Sequence, residues 1–380
     1  MNKKYLGLLA SAGAVCVPAM ASAAGPTLSD VLVNSGITAS GYVDASYVEG
    51  FNHGQTLGGG AVGTRAFDVN SDTFYFNHSF PTRRSSDLGY LPTEGFGGFV
   101  NVIAGQDAKY VNASYGDGTS TFSLAQAYAQ YATGNLTVIA GRFVTLAGYE
   151  VINSTLDTNI SRSLLFQNLE PLVHTGVRAS YKLGDPLTLY LGVNNTAWTG
   201  QGVDDNKQKT LEAGGLFTPS KAVSVGLYEY YGFDGGSGSG TTTVKTSFTD
   251  LTASWQITDP LSVAVNADYK KFFSSGDVGG AQAYGVAGYV NYAFLSNLKG
   301  SLRGEYLKYS DSSGYSEHDN EVTLTLDYSP AANFDVLGEV RLDGSSNDIY
   351  PNPGTDGSFK GQESDVAIKA IWKFGTPTGS

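Results

Sequence analysis

The chain has 380 residues, with 23 Lys plus Arg against 35 Asp plus Glu, a net charge of −12 and only 15% charged residues. This acidic balance argues against a nucleic-acid partner, which needs a basic face, and 41% hydrophobic with 12% aromatic residues excludes a disordered chain. The 49 glycines follow no three-residue period, so collagen is excluded, and no run of about 18 apolar residues supplies a helical membrane span.

Residues 1–23 read as a secretory signal peptide. Lys3 and Lys4 form the charged start, an apolar stretch follows, and Ala21-Ser22-Ala23 is a cleavage site of the A-x-A type. Cleavage after Ala23 removes the only cysteine, Cys16, and takes the net charge from −12 to −14. A secreted chain without disulfides has to be held by its own core or by strand pairing. Residues 24–36 are expected to be a short periplasmic segment, with Leu28, Val31 and Leu32 at helical spacing behind Thr27 or Ser29 as cap.

From residue 37 the period becomes two. Ile37, Ala39, Gly41, Val43, Ala45 and Tyr47 alternate with Thr38, Ser40, Tyr42, Asp44 and Ser46. A strand points successive side chains to opposite faces, so such a segment has one apolar and one polar face. The second strand is broken by His78-Ser79-Phe80-Pro81-Thr82-Arg83-Arg84-Ser85-Ser86-Asp87-Leu88. Adjacent arginines would set one charge against lipid, at about 2–4 kcal/mol near mid-bilayer, and Pro81 removes a ladder hydrogen bond. The eleven residues also match a common short-read sequencing adapter translated in one frame, so residues 78–88 are read as an assembly artefact without function.

Further strands follow around 187–194, 322–328, 334–342 and 365–374, each alternating in the same way. Seven short turn signals, among them Thr133-Gly134-Asn135, Gly184-Asp185-Pro186 and Thr258-Asp259-Pro260, carry the residues that tight turns need. They alternate with eight long polar stretches near 48–66, 107–121, 144–172, 199–207, 233–246, 274–280, 310–319 and 344–363. Fifteen connections join sixteen strands, an even number with both ends on the short-turn side. The expectation is an all-β, transmembrane up-and-down antiparallel barrel over residues 37–374, of about 16 strands (range 14–18), with residues 375–380 as a tail. Closure leaves no unpaired edge in lipid. Tyr181, Phe217, Tyr269, Tyr289, Tyr306, Tyr328 and Trp372 read as interfacial girdle residues.

Several strings resemble the OmpL-like β-barrel porins: Gly41-Tyr42-Val43-Asp44-Ala45-Ser46-Tyr47, Leu91-Pro92-Thr93-Glu94-Gly95-Phe96-Gly97, Gly148-Tyr149-Glu150, Asn159-Ile160-Ser161-Arg162-Ser163 and His174-Thr175-Gly176-Val177-Arg178. The resemblance spans most of the chain after residue 36 except 78–88. It implies a pore-forming barrel of the bacterial outer membrane, among lipid and lipopolysaccharide, that passes small solutes by diffusion. The aromatic strand ending at Phe374 is of the kind the outer-membrane assembly machinery reads, and analogy with other porins suggests a homotrimer.

The stretch 144–172 would be the third outer loop. Its apolar residues, such as Leu156, Leu164, Leu165 and Phe166, need cover, which a barrel interior or a folded cap can give. If it turns inward, Glu150, Asp157 and Arg162 are expected to face the strand residues Arg142 and Arg178, with His174 beside them, as a pore constriction; either arginine could instead merely tie loop to wall. Asp44, Glu212, Asp268, Arg303, Asp327, Glu339, Arg341 and Lys369 are expected to line the lumen. Weak cation preference or none follows from the charge. No catalytic residue, cofactor or metal site is read from the sequence: His53, His78, His174 and His318 have no nucleophile motif beside them, and no Cys or His has zinc spacing. The alternatives are a plugged structural or adhesive barrel and a barrel hydrolase.

Overall fold

The computed structural model describes residues 35, 37–51, 65–68, 71–80, 87–113, 118–196, 198, 208–234, 244–273, 279–351 and 358–375. The signal peptide, nearly all of the segment 24–36, His53, the loop 199–207, residues 235–243 and the tail beyond residue 375 lie outside them.

The strands run in chain order as β1 (Thr38–Phe51), β2 (Thr73–Phe80), β3 (Asp87–Tyr90), β4 (Gly95–Ala104), β5 (Phe122–Thr133), β6 (Leu136–Val144), β7 (Val173–Leu183), β8 (Leu187–Asn194) and β9 (Thr210–Ser220). They continue as β10 (Val223–Asp234), β11 (Val244–Gln256), β12 (Leu261–Phe272), β13 (Ala281–Leu295), β14 (Leu298–Asp311), β15 (Ser316–Ala331) and β16 (Phe334–Ser345). A two-residue hairpin, β17 (Tyr350–Pro351) with β18 (Phe359–Lys360), precedes the last strand, β19 (Gln362–Gly375). From β3 to β16 each strand pairs antiparallel with the next, β16 pairs with β19, and β1 closes the ring on β19, with Gly41 opposite Phe374 and Phe51 opposite Ser364. Since β2 and β3 share one position beside β1, the barrel has sixteen strands, a size that leaves an aqueous interior rather than one filled by wall side chains alone.

All seven turn signals fall between strands, and Gly134 and Gly184 have positive φ in theirs. Most long connections match the sequence reading. One does not: β14 and β15 extend to Asp311 and from Ser316, leaving four residues where a ten-residue loop is expected. A helix, α1 (Asp107–Ala113), follows β4, and a single turn, α2 (Leu164–Asn168), sits in the third loop.

Burial along the strands is the reverse of that in a water-soluble domain. On β14 and β15 the outward residues are Leu302, Val322, Leu324 and Leu326, all about half exposed, whereas Arg303, Glu305, Glu321 and Thr323 are buried. Leu191, at 65% exposure, and Ile368 at 54% continue the apolar outer surface. A polar inside and an apolar outside are what lipid and a water-filled lumen require. Tyr181, Phe217, Tyr269, Tyr306, Tyr328 and Trp372 face outward as expected of a girdle. Tyr289 does not. It shares the inward parity of Ala283 and Ala287 on β13, and its ring packs tilted by 45° against that of Tyr149 in the third loop, centroids 4.5 Å apart.

The interrupted strand has a countable defect. From Ala45 to Ser40, β1 advances five residues, while its partner advances eleven, from Phe76 to Asp87. One extra residue is absorbed by the register shift at Asp44/Ala45. We propose that the segment 78–88 replaced a shorter native stretch. An unbroken ladder needs five residues where eleven now stand, or six if that shift is retained. Sequencing the gene from genomic DNA is expected to return five or six codons between Asn77 and Gly89. Recovery of all eleven would contradict the replacement.

Candidate pore constriction

The third loop begins where β6 ends at Val144 and returns at Val173. Most of its apolar residues need cover, and the wall offers them a patch. Leu164, Leu165 and Leu169 are buried against Tyr228, Tyr230, Phe248, Tyr289 and Leu307, which belong to the far wall. Leu165 fits because β13 has a glycine opposite it: a Cβ on Gly285 would stand 2.9 Å from Leu165 Cδ1. Phe166 packs the other way, with Ile103, Ala108, Val111 and Ala125. The loop therefore crosses the interior and touches the wall on both sides.

Polar contacts repeat this crossing. Leu146 N–H donates to the Tyr230 hydroxyl (3.1 Å), and Tyr149 N–H to Asn266 Oδ1 (2.7 Å). Ser154 N–H donates to the Tyr42 hydroxyl (3.2 Å). The amides of Ile160 and Ser161 donate to the two carboxylate oxygens of Glu339, at 2.6 and 3.0 Å. Leu164 N–H donates to Glu305 (2.8 Å). Arg341 donates to the carbonyl of Arg162 (2.7 Å), and Lys369 Nζ lies 3.4 Å from Ser154 Oγ and from Asp44. A loop amide has no strand partner, so these wall carboxylates supply the acceptors that the buried backbone requires.

Arg303 is the hub. It is fully buried and reaches Glu150 (2.7 Å), Glu305 (3.0 Å) and Glu321 (2.9 Å), while donating to the Ser161 carbonyl and hydroxyl. Arg162 folds the loop on itself. It pairs with Asp157 (2.8 Å), donates to the carbonyls of Val151, Ile152 and Ile160, and lies over the rings of Phe67 and Phe166. Burial pushes the Asp157 carboxyl up to about 7 against the pull of Arg162. It also raises Glu170 well above the usual carboxylate range, with Asp268 and Asp250 adding to the shift.

The expected pairing across the constriction is corrected here. Arg178 does not meet the loop acids; it forms a two-pronged bond to Glu212 on the neighbouring wall (2.5 and 2.8 Å) and holds the start of the loop through the Val144 carbonyl. Glu150 goes to Arg303 and Asp157 to Arg162, while Arg142 is a partly buried β6 residue. His174 is buried in the wall and stacks on Tyr230, ring centroids 4.9 Å apart. Asp44, Glu212, Asp268, Arg303, Glu339, Arg341 and Lys369 are buried on the inner face, and Asp327 lines a cavity there. The reading missed Asp250, Glu305, Glu321, Asp343 and Asp365, which are buried inside too. For the last four, the period-two spacing from Arg303, Thr323, Arg341 and Lys369 on the same strands was the available signal.

Two cavities flank the loop. One, about 260 Å³ and mostly apolar, lies toward the long-loop end between the loop and Asn101, Ile103 and Gln126. The other, about 440 Å³ and mostly polar, opens at the short-turn end beside Asp259, Lys299, Asp335 and Lys373. Leu156 lines both and is 64% exposed, in contrast to its buried loop neighbours.

The family described as "Putative beta-barrel porin-2, OmpL-like" matches residues 36–374. Solved structures similar to this chain include the outer membrane channel DcaP of Acinetobacter baumannii (TM-score 0.60, 14% identity, 89% of this chain and 97% of that one). They also include in-vitro folded OmpT of Vibrio cholerae in its trimer form (0.59, 15%, 89% and 99%) and an anion-selective porin from Comamonas acidovorans (0.59, 11%, 89% and 99%). At these identities the likeness concerns the fold. No curated protein sequence matches.

Proposed function

Because the chain belongs to the OmpL-like β-barrel porin family, and so is a porin of the bacterial outer membrane, we propose that small hydrophilic solutes and ions diffuse through it along the flank of the third loop, past Leu156. The observation that carries this path is the single exposed loop side chain shared by two cavities that lie toward opposite ends of the barrel. The loop narrows the interior, and the contacts of Arg303, Glu339 and Arg341 hold it there. Export with removal of residues 1–23 and assembly as a homotrimer, the form named for the Vibrio cholerae relative, belong to the same proposal. So does the absence of a catalytic activity.

The cavity at the short-turn end is lined by Asp157, Asp259, Asp327 and Asp335 against Lys299 and Lys373. Charged linings set ion preference, and this surplus of acids favours cations weakly. In planar bilayers under a salt gradient the reversal potential is expected to be displaced modestly toward the cation side. Strong anion selectivity would contradict the assignment of this lining to the path. Liposome swelling by small sugars separates a conducting porin from a plugged barrel, in which no swelling occurs.

A further inference from the structure

Glu170 sits at the end of the third loop, two residues beyond α2 and three before β7. It is 6% exposed, and neither oxygen of its carboxylate has a hydrogen-bond partner. It points at the wall pair Asp250 on β11 and Asp268 on β12, which lie opposite each other in register and are also buried. One oxygen from each of the three carboxylates falls within 4.8 Å of the other two. Asn266 Nδ2 donates to Oδ1 of Asp250 (2.8 Å) and of Asp268 (3.0 Å); no donor reaches either Oδ2, and the two carboxylates lie close enough to hydrogen-bond each other when one is protonated. The Gly148 amide supplies a further bond to Asp250. Gly148 has φ +92°, and a Cβ there would stand 2.0 Å from Glu170 Oε2, so only glycine lets the carboxylate occupy this place.

The charge does not balance. The near cation is Lys270, whose Nζ lies 3.4 Å from the Leu169 carbonyl and 3.8 Å from the Trp198 ring centroid. Among the described residues, one ammonium faces three carboxylates. The other convergence of three acids, Asp343, Glu363 and Asp365, is different, because Arg65 lies 2.5 Å from Asp365 and Arg341 2.7 Å from Asp343. Buried like charges without partners are costly, and either protons or a cation must offset them.

We propose that Glu170, Asp250 and Asp268 form a calcium site that ties the end of the third loop to the far wall. Ligand atoms within 4.8 Å of one another need shift by no more than a few tenths of an ångström for all three to reach one ion at the roughly 2.3–2.6 Å typical of Ca²⁺–oxygen bonds, and Ca²⁺ tolerates an irregular, carboxylate-rich shell better than Mg²⁺, which keeps its own waters. The sequence conceals this site because its three acids come from a loop and two strands that meet only in the closed barrel.

The test is calorimetric titration of CaCl₂ into the folded full-length barrel after chelation, with thermal unfolding followed in parallel. One ion per chain is expected, with a Ca²⁺-dependent rise in the unfolding temperature. Glu170→Gln and Asp268→Asn should each weaken binding at least tenfold and abolish that rise, whereas Asp365→Asn should leave both intact. Should Asp268→Asn fail to fold, Glu170→Gln, which changes a loop residue, decides alone. Absence of saturable one-to-one binding, or unaltered binding by Glu170→Gln, would overturn the site and show that the carboxylates share protons instead. Neither readout depends on conduction, so failure here is distinguishable from failure of the porin path.

Discussion

Replacing Arg303 with Met is expected to raise single-channel conductance at least twofold and to lower thermal stability, while the barrel still inserts and runs as a folded species. The substitution preserves most of the side-chain volume but removes the cation shared by Glu150, Glu305 and Glu321 and the donors to Ser161. Removing one partner of a buried, hydrogen-bonded ion pair typically costs about 3–5 kcal/mol, because the other charge is left without compensation. Three carboxylates would be stranded here. Two belong to the wall and are fixed by strand pairing; the third, Glu150, is on the loop and can leave. The cheapest relaxation is therefore for the loop to detach from β14 and open the lumen. The sixteen-stranded ladder does not depend on Arg303, which is why insertion should survive. Conductance unchanged from the parent would mean that the remaining contacts, polar ones to Glu305, Glu339 and Arg341 and apolar ones to Tyr228, Tyr230 and Phe248, hold the loop without Arg303.

The parts of this structure that were legible in the sequence are those set by local physics. Turns such as Gly134-Asn135 and Gly184-Asp185-Pro186 are dictated by residues with special backbone preferences. The two faces of each strand follow from period two, so Arg303 and Arg341 could be placed inside and Leu324 and Ile368 outside. The inward course of the third loop was foreshadowed by Leu164, Leu165 and Phe166, which require cover. Pairings across the lumen were not legible. Glu150 and Arg303 are 153 positions apart, and only the closed register brings them to 2.7 Å. Arg178 was assigned to the loop, but Glu212 meets it through β8, whose glycine Gly192 lies between them in the ladder. Tyr289 was misplaced because a tyrosine suits both a lipid interface and a hydrogen-bonding lumen; parity along β13, counted from Ala283 and Ala287, decides it. The extent of β14 and β15 was underestimated because polar residues such as Ser316 and Asp319 read as loop, although a strand that protrudes beyond the membrane can carry them.

Leu156 gives the largest effect in the opposite direction. Changing it to Cys, with Cys16 replaced by Ser, provides a single thiol in the chain. The side chain is exposed at the junction of the two cavities, so a soluble thiol reagent can reach it from the aqueous side. A bulky cationic adduct would add volume where the path is narrowed by loop and wall, and a positive charge beside Asp157. Both effects oppose cation flow. The parent chain carrying Leu156 serves as the control, since any effect of the reagent elsewhere would appear there too.

The decisive recording is single-channel conductance of the Leu156→Cys porin in a planar bilayer before and after reaction with an alkylammonium methanethiosulfonate, whose methanesulfinate is displaced by the thiolate to leave a mixed disulfide. The expected result is a fall of more than half in the step conductance, reversed by a reducing agent and absent in the parent. Full modification by mass spectrometry with an unchanged step conductance would contradict a path past Leu156.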